Sequence, residues 1–105
     1  MTVSERLGAN LRKARRDAFM SQEDLSRRTG LHRTEIGTLE RGLRIPRLDT
    51  TIKVLEATNA DPADMFVGIT WHEPARLDEE GWFTIVGVDG PVDLRPPQRG
   101  KADRR

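Results

Sequence analysis

The chain has 105 residues, no cysteine, two histidines (His32 and His72), two Trp, three Phe and no Tyr, and its 18 Lys and Arg against 17 Asp and Glu leave a net charge of +1. That length suits one domain with a short extension. The missing cysteines exclude a disulfide framework, a thiol nucleophile and a thiolate zinc site, two histidines are too few for a histidine metal cluster, and there is neither an apolar run near the roughly 18 residues of a spanning helix nor a signal-peptide core, so a soluble, cytoplasmic protein with no membrane partner, no metal and no cofactor is expected.

Thr2-Val-Ser-Glu5 places a carboxylate three residues after a hydroxyl, a capping-box pattern. Val3, Leu7, Leu11 and Ala14 follow on one helical face and predict helix 1 over about residues 4–17. Arg12, Lys13, Arg15 and Arg16 fall mostly on its other faces, where a charge run reads as a solvated surface before it reads as a phosphate-binding patch. Ser21-Gln-Glu-Asp24 is a second capping signature, opening a short helix around Leu25 that Gly30 ends. A third helix begins near His32, carries Ile36 and Leu39 and stops at Gly42; Arg44-Ile-Pro46 is a turn. Leu48, Ile52 and Leu55 mark a fourth helix with Asp49 near its start. Asp61-Pro-Ala-Asp64, an N-cap with a first-turn proline, predicts a short fifth helix holding Met65 and Phe66.

Residues 71–80 are polar and acidic. The period then changes: Trp82-Phe-Thr-Ile-Val-Gly-Val88 is β-branched and aromatic, Asp89-Gly90 is a turn pair, and Val92 and Leu94 suit a short return strand that Pro91 confines to an edge. Residues 96–105 have almost nothing to bury and are expected to be disordered. The domain reading is therefore 1–70 helical, 71–95 an arm containing a strand, and 96–105 a basic tail. No internal repeat is present.

A net charge near zero argues against a nucleic-acid partner only until it is divided. Residues 1–48 hold 11 basic and 6 acidic groups, net +5; residues 49–96 hold 3 and 10, net −7; residues 97–105 hold 4 and 1, net +3. Fifteen of the 18 basic residues are Arg, the side chain suited to bidentate phosphate and guanine contacts. The neutral total hides a basic first half and an acidic second half.

The informative stretch runs from Gln22 to Leu39, two short helices joined by a tight turn. Ser26 is small where the helices must cross closely, Gly30 supplies the bend, and Ile36 and Leu39 anchor the second helix by one stripe. A helix held by one narrow stripe leaves its other face and its N-terminus free to enter a major groove. Exposed amides at the N-termini of helices 2 and 3 favour phosphate. Glu40 reads as structural, a partner for an arginine of helix 1.

Ser21-Gln-Glu-Asp-Leu-Ser26, Thr29-Gly-Leu31, Ile36, Leu39-Glu-Arg-Gly42, Pro46 and the helix from Leu48 to Leu55 resemble the Xre / phage Cro–C1 repressor family of helix-turn-helix DNA-binding domains, over about residues 4–69. The resemblance implies a mainly α, five-helix lambda-repressor-like fold, here followed by a short β-strand or hairpin arm, with the third helix in the major groove and a homodimer on a palindromic double-stranded DNA operator. Carried over by position, Arg33, Thr34 and Thr38 match base-contacting positions. Gln22, His32 and Arg41 match phosphate-contacting positions, and Arg44 in the following loop joins them. His32 stands where the family usually has Ser or Thr, and Gly37 stands mid-helix at a cost of roughly 1 kcal/mol against Ala.

The strand residues Trp82, Phe83, Ile85, Val86 and Val88 are candidates for dimerisation, against the plainer reading that they pack on their own domain. No nucleophile–base pair, phosphate loop or metal set is present, and His72 reads as an incidental surface residue, so no enzymatic activity is expected. The functional expectation is a sequence-specific transcriptional regulator, a repressor or autoregulator. Its rivals are an antitoxin holding a protein partner through the acidic arm, and a protein–protein adaptor on the same fold.

Overall fold

A computed structural model describes residues 1–87 and the backbone of residues 90–92. It contains α1 (Val3–Asp17), α2 (Gln22–Thr29), α3 (Arg33–Glu40), α4 (Leu48–Thr58), a 3₁₀ turn (Pro62–Phe66), and strands β1 (Ile69–His72), β2 (Trp82–Gly87) and β3 (Gly90–Val92). Val88, Asp89, Leu94 and the tail 96–105, for which a strand end, a turn, a return strand and disorder were expected, lie outside the described residues.

Both capping boxes form. Thr2 Oγ1 accepts from the Glu5 amide at 3.1 Å while Glu5 accepts from the Thr2 amide at 2.8 Å, and Ser21 and Asp24 repeat the exchange at 3.0 and 2.9 Å. Each box satisfies orphan amides of a first turn. Gly30 closes α2 in the left-handed region, φ 77°. Gly42 ends the α3 turn at φ 74°, where a Cβ would lie 2.4 Å from Glu5 Cα, so the chain passes α1 at a distance no other residue permits. Gly8 does the same service for α1 against α3: its missing Cβ would sit 2.3 Å from the Leu39 carbonyl oxygen. Leu7, Leu11, Leu25, Leu31, Ile36, Leu39, Val54 and Met65 form one core.

Three expectations need correction. The fifth helix is a five-residue 3₁₀ segment, Pro62–Phe66, capped by Asp61 and followed at once by the chain's turn into β1 at Ile69. Of the three residues expected to mark α4, Leu55 packs against the core, but Leu48 and Ile52 turn outward, 73% and 52% exposed, while Thr51, Val54 and Thr58 face inward. The threonines tolerate this because Thr51 and Thr58 donate their hydroxyls to the Arg47 and Val54 carbonyls at 3.0 and 2.8 Å, leaving methyls for the core. Third, residues 69–72 form a strand where the sequence reading had the end of the helical domain and a polar segment, so the boundary at 70/71 cuts through β1.

The three strands are antiparallel in the order β1-β2-β3. Ile69 faces Ile85, Trp71 faces Phe83 and His72 faces Trp82. Asn10 on α1 ties down the 3₁₀ turn and the residue after it, just before β1, donating to the Met65 and Val67 carbonyls at 2.8 and 3.0 Å. β2 lies along α1, and there Ile85 is 1% exposed. Farther out, Trp71 and Phe83 meet edge to face at 4.9 Å, and His72 stacks on Trp82 at 5.1 Å while its Nε2 lies 2.8 Å from Thr84 Oγ1. His72 is thus a cross-strand stacking partner, not an incidental surface residue. Among the described residues, no helix is long and apolar enough to cross a membrane and no acidic or histidine cluster suits a metal ion.

Candidate nucleic-acid interface

α3 is fixed on one side only. Ile36 and Leu39, three residues apart, are each 2% exposed in the core. Its far end is locked by Glu40, which takes a bidentate pair from Arg15 of α1, Nε to Oε2 at 2.6 Å and Nη2 to Oε1 at 2.9 Å. Arg15 also donates to the Met20 carbonyl at 2.8 Å, and Gln22 Nε2 donates to Glu40 Oε1 at 3.1 Å. This cluster joins α1, the α1–α2 turn, α2 and α3. The carboxylate beside it raises the Arg15 pKa, chiefly through the hydrogen bond. Arg15 therefore leaves the solvated charge run predicted for helix 1, and Glu40 takes the structural role expected of it.

The near end of α3 is capped by His32, whose Nδ1 accepts from the Thr34 amide at 3.1 Å. A neutral imidazole presenting that nitrogen as acceptor does the work of a Ser or Thr cap. At the start of α2 two of the expected anion-receptive amides are already engaged. The Asp24 amide goes to Ser21, and the Glu23 carboxyl is held below its usual range first by its own backbone amide and then by Arg33.

His32, Arg33, Thr34, Arg41 and Arg44 are all exposed and Thr38 is partly so. Thr38 donates its hydroxyl to the Thr34 carbonyl at 3.0 Å, which leaves its methyl as the outward group. Arg33 pairs through Nε with Glu23 Oε1, and Arg44 with Glu35 at 3.2 Å. Neither carboxylate is marked by a local pattern: Glu23 opens α2 and Arg33 opens α3, and Arg44 lies beyond the end of the helix that holds Glu35. Gly37 explains the placing of Arg41: a Cβ there would lie 3.1 Å from Arg41 Nη1 and 3.9 Å from Gln22 Nε2. The bare backbone seats the guanidinium beside Gln22, bringing two predicted phosphate contacts together.

The family model described as a helix-turn-helix domain matches residues 6–65. The chain belongs to that family. This helix-turn-helix protein is 42% identical over 59 residues to control protein C.SmaI of Serratia marcescens, covering 56% of this chain and 70% of that one. Its fold is similar to the restriction-modification controller protein C.AhdI of Aeromonas hydrophila, with a TM-score of 0.56 and 34% identity over 59% of this chain and 94% of that one. It is also similar to the clp gene regulator ClgR of C. glutamicum, with a TM-score of 0.60 and 27% identity over 64% and 87%. The helix-turn-helix protein is a DNA-binding transcriptional regulator of the Xre / Cro–C1 type. The matched segment stops at residue 65, before β1 begins at Ile69.

Proposed function

We propose that the protein is a sequence-specific repressor or autoregulator that binds a palindromic operator as a homodimer, with α3 in the major groove. The observation that carries this reading is the division of α3: Ile36, Leu39 and Glu40 anchor it, and Arg33, Thr34 and Thr38 are left outside together. Glu23 occupies Nε of Arg33, which leaves the two terminal nitrogens for guanine O6 and N7, and the Thr38 methyl suits a thymine methyl. Gln22, His32, Arg41 and Arg44 take phosphates and set the register.

The dimer rests on uncovered aromatic surface. Of the strand residues, Ile85 is spent on its own chain and Val88 is outside the described residues. Phe83 shares one face with Trp71, the two being 40% and 53% exposed, and Trp82 and Val86 lie on the other. The Trp71–Phe83 face continues outward from the pair of half-buried Ile69 and buried Ile85, so a second copy laid there extends an existing apolar layer. Deleting the arm is a poor test because it removes Ile85 from the fold. Trp71→Thr with Phe83→Thr keeps strand-compatible residues and is expected to give a monomer in sedimentation; a dimer of unchanged stability overturns this interface.

Binding-site selection with the wild type tests the main reading and is expected to enrich a two-fold sequence. Arg33→Ala should cost about 1–3 kcal/mol and relax preference at one base position. Arg41→Ala should weaken all sequences alike and reduce the salt slope by about one. Recovery of no enriched sequence, or an Arg33→Ala protein with intact preference, refutes the reading.

A further inference from the structure

The cations of this chain divide into those already paired and those that are not. Lys13, Arg15, Arg27, Arg33, Arg44, Arg47 and Arg76 each have a carboxylate within ion-pair distance. Arg6, Arg12, Arg16, Arg28, Arg41 and Lys53 have no such partner among the described residues, and three of these, Arg12, Arg16 and Arg41, line one open groove between α1 and the end of α3. The groove's carboxylates are committed elsewhere. Glu5 accepts from the Thr2 amide at 2.8 Å, Asp17 pairs with Lys13 at 2.5 Å, and Glu40 is held by Arg15 and Gln22. Arg12 and Arg16 are four residues apart on one helix, a spacing at which like charges repel. Three guanidinium groups thus share a concave surface in which Asp17 and Glu40 are each answered by another cation and Glu5 keeps its charge beside a neutral amide, so positive charge stays in excess.

We infer that this groove is an anion site for the backbone of the same operator, in which Arg12 and Arg16 hold phosphates adjoining the one taken by Arg41. Arg41 supplies the continuity: its guanidinium sits over Gly37 beside Gln22 on the reading face and also lines the groove. A phosphodiester meeting Arg41 has two further unpaired guanidiniums along its path. These contacts add affinity and salt dependence but no sequence preference, because phosphates carry none. The inference rests on the operator-binding reading and adds a second track to it.

The test measures binding of the full chain to its selected operator duplex as a function of salt. Arg12→Gln with Arg16→Gln is expected to leave the enriched sequence unchanged and to make the slope of log affinity against log salt less steep by about 1.8, at about 0.9 per phosphate contact. The matched comparison is Arg28→Gln with Lys53→Gln, which removes the same charge from a surface near the outer face of α4 and is expected to leave the slope nearly unchanged. A wild-type slope in the Arg12/Arg16 variant overturns the site, and so does an equal loss in the comparison variant, since the effect is then bulk charge. Failure of the operator-binding reading itself looks different: wild type and both variants then all lack a preferred duplex, which also removes the occupant proposed for the groove.

Discussion

Arg15→Ala isolates the cluster that holds the end of α3. The side chains of Arg15 and Glu40 are 11% and 5% exposed, so water cannot take over from the lost partner. The substitution removes two charge-assisted hydrogen bonds to Glu40 and one to the Met20 carbonyl, and leaves Gln22 as the only donor that the structure shows to a buried carboxylate. Breaking one side of a buried pair costs about 3–5 kcal/mol. That is a large fraction of the roughly 5–15 kcal/mol that keeps a domain folded. At about 4–8 °C per kcal/mol, the melting temperature should fall by at least about 12 °C. Urea titration followed by far-UV circular dichroism reads the loss directly, with an unchanged m-value as evidence that only stability moved. The companion Arg15→Met with Glu40→Leu removes both charges and should recover much of the deficit, leaving about 1–3 kcal/mol for the orphaned Met20 carbonyl and Gln22 amide. A loss below about 1 kcal/mol for Arg15→Ala, or a double variant no more stable than the single, refutes the argument that an uncompensated buried charge sets the cost.

Gly30 and Gly42 separate backbone strain from collision. A Cβ at Gly30 meets nothing within 4 Å, so Gly30→Ala should cost only the left-handed penalty of about 1–2 kcal/mol, whereas Gly42→Ala adds contact with Glu5 and should cost clearly more in the same denaturation assay. Phe19 holds φ 58° at 95% exposure. Phe19→Gly should therefore raise stability by about 0.5–1 kcal/mol, the relieved strain exceeding the added freedom of the unfolded chain, and a drop in melting temperature would contradict this. The Glu5 and Asp24 carboxyls lie below their ordinary range because the Thr2 and Ser21 amides donate to them. Their contribution is complete above the unfolded carboxylate pKa and is lost as pH falls through the lower folded value. Melting temperature should decline on acidification below about pH 4, and Glu5→Gln with Asp24→Asn should flatten that decline.

The helical half was legible because its signals are local. Thr2 and Glu5, Ser21 and Asp24, and Gly30 each act within one turn of their own position, so caps and breaks can be read without knowing the fold. The pairing of Glu40 with a helix 1 arginine was also readable, although which arginine was not. Choosing Arg15 over Arg12 or Arg16 depends on the angle at which α1 crosses α3, and that angle is set by the contact of Gly8 with Leu39. The outward turn of Leu48 and Ile52 was hidden for a similar reason. Period alone does not say which of two faces meets the core, and hydroxyls bonded to the preceding turn let threonines serve as apolar residues.

The site shows the same division. The amino-acid order alone determined the helix-turn-helix unit, the exposed triplet Arg33, Thr34 and Thr38, and the separation of a basic half from an acidic one within a net charge of +1. Tertiary structure alone decided which cations are free. Glu23 answers Arg33 across the α2–α3 turn, Glu35 answers Arg44, and Arg12 and Arg16 face a groove whose carboxylates are all engaged. It also decided that β1 exists: residues 69–72 are a strand because Trp82–Ile85 return beside them, a pairing across ten to sixteen residues that no local pattern contains. Charge and capping are properties of residue order. Whether a charge is answered, and which side of an element is covered, depend on atoms brought from elsewhere in the chain.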